Sequence, residues 1–284
     1  MPVAAKVAMF STGTVQIRPE HVGPTRLPAL LWLLKSRTWT SPRPINVYVI
    51  EHPRGKVVFD TGQDIASVSS ADYFPRGIFG WLFARLARFE IQEHQTFEYG
   101  LAKLGLEPRD IDYAILSHLH QDHIGGLKSF IDTKTRVIAD ENELRAARKP
   151  GAVLEGYMRK HIFLPGLRFE SPAYDRLPDG ALPGFTHAWD IFGDGLVLVL
   201  QLPGHTIGSL ALLVNYRRPG PVLLVGDLTY DVRLLKEKVV PGVGNKNSML
   251  NASERVMNLM SSMDELIIAA AHDPNARMAA DGEG

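Results

Sequence analysis

The stretch that most constrains this chain is residues 117–126, SHLHQDHIGG. Three histidines and an aspartate fall within positions 118 to 123, in a chain with ten histidines in all. The apolar run IDYAIL leads straight into the stretch and reads as a strand, while Gly125-Gly126 lets the backbone turn and approach its neighbours closely. On extended backbone alternate side chains share a face, so His118 and His120 point to one spot. Asp122 and His123 follow where the chain turns. The chain has no cysteine, so disulfides and thiolate ligands are excluded and any metal held here must take nitrogen and oxygen ligands.

Four such groups are half of a larger set. LPGHTIGS breaks an apolar run and presents His205; LLVGDLTYD ends a run at Asp227; LIIAAAHDP presents His272. Each is a polar group directly after an apolar β run. A buried imidazole or carboxylate there needs a partner, and a cation is the simplest one they can share. His21, His52, His94, His161 and His187 lack this context and read as ordinary surface or core histidines.

The pattern around these points predicts two packed sheets with helices outside rather than strict βαβ alternation. INVYVIEHPRGKVVFDTG reads as a hairpin turning at Pro53-Arg54-Gly55. QTFEYGLAKLGLEPRDI reads as a helix stopped by Gly105, and Asp140 caps a helix ENELRAARK that Pro150-Gly151 ends. Residues 151–190 are irregular. The runs LVLVLQ, SLALLVNY, PVLLVG and ELIIAAA are strands, and a helix over about Ser253 to Met263 carries Val256, Leu259, Met260 and Met263 on one face.

Lysine plus arginine equals aspartate plus glutamate at 31 each. The resulting zero net charge argues against a nucleic-acid partner, which needs a basic excess. No run approaches a membrane span, and the N-terminus carries no signal-peptide pattern, so a cytoplasmic protein is expected. Two stretches stand apart: PALLWLLKSRTW (28–39) and FPRGIFGWLFARLARF (74–89) are apolar, aromatic and dotted with arginine. They suit core helices, a homodimer contact or an apolar wall beside the site.

Taken together, HLHQDH with Gly125-Gly126, then PGHTIGS, GDLTYD and AAHD, preceded by FDTG at 59–62, resemble the metallo-β-lactamase superfamily. The resemblance runs from about residue 45 to 273 and leans toward the N-acyl homoserine lactone lactonases, because Tyr230 stands three residues after Asp227. It implies an αββα sandwich of two mixed sheets with outer helices, spanning residues 1–284 as one domain. It implies two divalent ions at one sheet edge, zinc or else cobalt, manganese or iron. His118, His120 and His205 would bind one; Asp122, His123 and His272 the other; Asp227 would bridge both, and Asp60 would orient a ligand histidine. The implied activity is hydrolysis of a lactone ring, with Tyr230 stabilising the oxyanion and Asp122 delivering a proton to the leaving alkoxide. Another ester, lactone or organophosphate is the alternative substrate, and a non-catalytic metal-binding role is the third reading. The length of 150–190 and the bulk before residue 45 are expected to shape the substrate pocket.

Overall fold

A computed structural model describes residues 5–25, 27–215 and 220–276. Seven strands form the first sheet: β1 (Lys6–Ile17), β2 (Arg43–His52), β3 (Gly55–Phe59), β4 (Ala87–Glu90), β5 (Tyr113–Ile115), β6 (Arg136–Ile138) and β7 (Phe169–Glu170). Their spatial order is β4-β1-β2-β3-β5-β6-β7. The second sheet holds β8 (Asp175–Arg176), β9 (His187–Asp190), β10 (Val197–Gln201), β11 (Leu210–Val214), β12 (Val222–Leu224) and β13 (Ile267–Ala269), in the order β13-β12-β11-β10-β9-β8. Both sheets are mixed. In the first, β3, β5, β6 and β7 run parallel, and the pairs β4-β1, β1-β2 and β2-β3 are antiparallel; in the second only β12 and β13 are parallel.

Alternation along the strands explains the layers. In β2, Tyr48 and Ile50 face the second sheet, while Val47 and Val49 face outward onto Phe97 and Leu101 of the helix Phe97–Lys103. In β11, Leu210, Leu212 and Val214 pack between the sheets, and Ala211 and Leu213 face the helix Lys246–Ser262 through Met249, Val256 and Leu259. Strands buried on both faces read as unbroken apolar runs, which is how β10, β11 and β12 appear in the sequence. Helices outside two face-to-face sheets make the expected αββα sandwich. Among the described residues no helix is long and apolar enough to cross a membrane.

Three elements differ from the sequence pattern. The C-terminal helix begins at Lys246, not Ser253, because Asn245 caps it by accepting from the Ser248 N–H, and its first turns already bury Met249 and Ala252. The stretch 74–89 is helical only over Ile78–Leu86; Ala87–Glu90 turns into β4 and pairs with β1. β1 itself is hidden because its alternation is interrupted: its register against β2 shifts between Ser11 and Thr14. Gly13 there has φ +113°, and a Cβ would lie 2.6 Å from the Glu90 carbonyl oxygen.

Leu212 is fully buried between the sheets. Leu212→Ala should lower unfolding free energy by about 2–5 kcal/mol in a denaturant titration; a loss below about 1 kcal/mol would show that this layer is not the core.

Candidate metal centre and active site

The site begins with backbone strain at the end of β3. Asp60 adopts φ +63°, a left-handed conformation that aspartate tolerates better than most residues. Its N–H bonds the Ile115 carbonyl at 2.9 Å, holding the end of β3 against β5. Its buried carboxylate then accepts from the Ser117 N–H at 2.7 Å, the Ser117 hydroxyl at 2.8 Å and His123 Nδ1 at 2.8 Å.

These partners set the tautomers of the histidines beyond β5. With Nδ1–H of His123 given to Asp60, Nε2 is the nitrogen that holds the lone pair when the ring is neutral. Ser117 Oγ, having donated to Asp60, accepts from His118 Nδ1 at 3.0 Å, so His118 Nε2 is also a lone pair. His120 Nε2 donates to the Glu155 carbonyl at 2.8 Å, leaving its Nδ1 bare. His272 Nδ1 donates to the Pro44 carbonyl at 2.9 Å, leaving its Nε2 bare.

The bare nitrogens converge with Nε2 of His205, whose buried Nδ1 has no partner among the described residues. His120 Nδ1 lies 3.0 Å from His118 Nε2 and 3.1 Å from His205 Nε2. On the other side His123 Nε2 is 3.9 Å from Asp122 Oδ1, and His272 Nε2 is 3.5 Å from Asp122 Oδ2. Asp227 stands between the two groups. Its Oδ1 is 3.4 Å from His123 Nε2 and 3.5 Å from His272 Nε2, and its Oδ2 is 3.6 Å from His205 Nε2. All seven residues that the sequence pattern singles out as ligands thus meet, although His118 and His120 lie in a loop beyond β5 rather than on extended strand.

The donor chemistry fits two divalent cations. His123 Nε2 and Asp227 Oδ1 are buried without a hydrogen-bond partner among the described residues. Burial and neighbouring imidazoles push His118 and His205 well below the ordinary histidine range. Burial also works against charge on His123, but Asp227 and Asp60 outweigh it and hold that ring well above its ordinary value. Burial likewise opposes charge on Asp227, yet His272 and His123 keep its carboxyl well below the usual range. A proton on His123 and a cation beside Asp227 are alternative ways of neutralising one buried carboxylate.

Tyr230 is buried beside this cluster, with its hydroxyl donating to Asp227 Oδ2 at 2.8 Å. Burial and then Asp227 push its phenol well above the usual range, so it carries its proton at neutral pH. The same oxygen lies 2.9 Å from His21 Nε2. His21 therefore belongs to the site, against the expectation that it is an ordinary histidine. Nothing in its local sequence marks it, since it sits in the short helix Pro19–Val22 and reaches Tyr230 only through the fold. The other four histidines set aside are elsewhere: His52 bonds Asp194, His94 faces Tyr99, His161 stacks on Tyr73, and His187 meets Thr186.

The cluster floors a cavity of about 830 Å³. Its walls include Trp32, Leu33, Phe79, Leu82, Phe83 and Phe89, together with residues 153–157. The two aromatic stretches and the long 150–190 connection therefore both shape the pocket.

The sequence profile of the metallo-beta-lactamase superfamily matches residues 40–272. An N-acyl homoserine lactonase of a Bacillus species is 29% identical over 231 residues, covering 81% of each chain. The N-acyl homoserine lactonase AttM of Agrobacterium fabrum is 27% identical over 234 residues, 82% of this chain and 83% of the relative. A solved N-acyl homoserine lactone hydrolase, with the product N-hexanoyl-L-homoserine at its catalytic metal centre, superposes with a TM-score of 0.75 at 22% identity. That match covers 96% of this chain and 95% of the other, and supports the same fold.

Asp60→Asn keeps a residue suited to the left-handed backbone but offers His123 a weaker acceptor. Its affinity for zinc, measured by competition with a chromophoric chelator, should fall by about 10–100-fold. Wild-type affinity would show that Asp60 does not orient the cluster.

Proposed function

The chain belongs to the metallo-β-lactamase superfamily, and from that premise we propose that it is a metal-dependent hydrolase that opens the ring of N-acyl homoserine lactones, with residues 1–284 acting as one hydrolase domain. His118, His120 and His205 would hold one divalent cation, Asp122, His123 and His272 a second, and Asp227 would bridge them. Ligation by nitrogen and oxygen alone suits zinc, and also cobalt, manganese or iron. Bound there, two such ions supply a nucleophile at neutral pH and a Lewis acid for the attacked oxygen. The observation that carries the lactone reading is the Tyr230 hydroxyl, fixed on Asp227 at the floor of an apolar cavity.

The protein's own groups then divide the reaction. The protonated Tyr230 turns its single O–H from Asp227 Oδ2 to the oxygen that gains charge as the lactone carbonyl becomes tetrahedral. Asp122, more open to the cavity than Asp227, carries a proton to the ring oxygen as the acyl C–O bond breaks. One water is added across that bond, and the product is the ring-opened hydroxy acid. The aromatic wall takes the acyl chain and keeps bulk water from the site.

A panel of homoserine lactones, aryl esters and phosphotriesters tests this reading. Homoserine lactones should be the best substrates, with kcat/KM rising by up to about fourfold per added methylene until the wall is filled. Good turnover of an ester or phosphotriester with none of any homoserine lactone would sink the lactonase reading. On the best lactone, Tyr230→Phe should lower kcat by about 10²-fold. Metal analysis should find two equivalents per chain; fewer than one after mild purification would favour a degenerate site.

A further inference from the structure

His21 is 8% exposed and is wedged between the tyrosine and the cavity wall. Its ring stands edge-on to Tyr230, with centroids 5.2 Å apart, and tilted against Trp32 at 6.2 Å. It ligates nothing in the cluster: its nearest ring there, His205, is 6.5 Å away by centroid. The ring's single hydrogen bond among the described residues is Nε2 to the Tyr230 hydroxyl, and its buried Nδ1 has no partner there. On the far side, the Tyr230 carbonyl is held by Arg43 Nη1 at 2.7 Å. The tyrosine is thus pinned at both ends, by arginine on its backbone and by histidine on its hydroxyl.

Which way the phenolic proton points depends on the His21 tautomer. Burial pushes the imidazole down to about 4, so the ring is neutral at pH 7 and carries one N–H. If that proton were on Nδ1, it would be a buried donor with no partner, and Nε2 would draw the tyrosine proton back toward the wall. If it is on Nε2, both donors of this relay are satisfied: Nε2–H gives to the phenol oxygen and the phenol gives to Asp227 Oδ2. Only one acceptor lone pair is then left over, and an idle acceptor is tolerated better than an idle donor. A donor into the phenol oxygen also polarises its O–H, which makes it a better donor in turn.

We infer that His21 is a positioning residue for Tyr230: its Nε2–H occupies the wall-facing side of the phenol oxygen, keeps the proton directed at the reaction centre and strengthens it as a donor. The inference rests on the lactonase reading, in which that proton is offered to the substrate oxygen. His21 ligates no cation; its ring borders the cavity, but its one hydrogen-bonding contact is spent on the phenol, so it acts on the reaction through the tyrosine. The group it needs is an N–H at one place, so a side-chain amide of similar reach can stand in for it.

The experiment compares His21→Phe, which keeps the ring volume without a donor, with His21→Gln, which restores an N–H. Tyr230→Phe and the double variant His21→Phe/Tyr230→Phe complete the set, assayed on the best lactone of the panel. His21→Phe should lower kcat by about tenfold, the size of one neutral hydrogen bond, with KM within about twofold and metal content unchanged. His21→Gln should recover to within about threefold of wild type, and the double variant should be no slower than Tyr230→Phe. Independently of turnover, a long-range ¹H–¹⁵N spectrum of histidine-labelled wild-type protein should show His21 neutral with its proton on Nε2. A proton on Nδ1, an unimpaired His21→Phe beside an impaired Tyr230→Phe, or a double variant that multiplies the two losses would overturn the inference alone. An unimpaired Tyr230→Phe would remove the tyrosine from the reaction, and with it both the oxyanion role and the inference. If His21→Phe does not fold, the glutamine variant and the tautomer still decide: a folded His21→Gln slowed tenfold or more overturns it.

Discussion

Asp227 is a buried carboxylate with one oxygen turned toward His123 and His272 and the other toward His205. Around it the histidine tautomers have been chosen from outside: Asp60, Ser117, Glu155 and Pro44 each take an imidazole proton and so turn the other ring nitrogen inward as a lone pair. The result is a pocket of acceptors with few protons of its own. Such a pocket opposes folding, because desolvated acceptors facing one another lose water and gain nothing. It becomes favourable when positive charge enters, by proton on His123 or by cations. The rest of the molecule has to hold these groups together against that repulsion.

Cross-links between the sheets do this holding. Leu210 of β11 donates its N–H to the Ser117 carbonyl at 2.7 Å, tying the second sheet to the ligand loop of the first. Asn46 N–H bonds the Ala271 carbonyl at 3.0 Å, next to the Pro44 contact of His272. The parallel pairing of β12 with β13 continues past the strands through Val225 to Ala269 and Ala271 to Gly226, setting Asp227 beside His272. Glu143, fully buried, accepts from the Leu119 N–H with one oxygen and the Gly208 N–H with the other, each at 3.0 Å. It thereby clamps the loop carrying His118 and His120 to the loop carrying His205. Gly208 is required for that clamp, since a Cβ would lie 2.5 Å from the Glu143 backbone nitrogen.

The seven clustered histidines and aspartates were legible as candidate ligands because their segments follow apolar runs, and a chain of alternating burial announces its own strand ends. Asp140 as a helix cap and the 45–62 hairpin were legible for the same local reason: capping and turn chemistry act within a few residues. What stayed hidden depends on contacts distant in the chain. β1 lost its alternation at a bulge that only its neighbours β2 and β4 explain. Glu143 looks like one more charge on an exposed amphipathic helix until the two ligand loops are seen to close over it. His21 sits 209 positions from the tyrosine it meets. A position-by-position pattern cannot register a partner that far away.

The arginines scattered through the aromatic stretches also find their reason in the fold. The helices Ala29–Lys35 and Ile78–Leu86 that wall the cavity have seven and nine residues, too short to be stable alone. Arg85 of the second reaches the carbonyls of Leu33, Leu34 and Ser36 at the end of the first, satisfying acceptors that a helix terminus leaves open. Arg18 in turn bonds the Arg85 and Thr38 carbonyls and stacks on Trp39 at 3.5 Å. The wall is therefore held by arginine-to-backbone bonds that share no residue with the Asp60, Glu143 and Asp227 network. Wall side chains such as Leu33, Phe79 and Phe83 can change the shape offered to an acyl chain while the strand ends keep their geometry. Two wall residues are exceptions: His21 packs on Trp32 and bonds Tyr230, and the Glu155 carbonyl accepts from His120. Through these two contacts a change in the wall reaches the clustered groups.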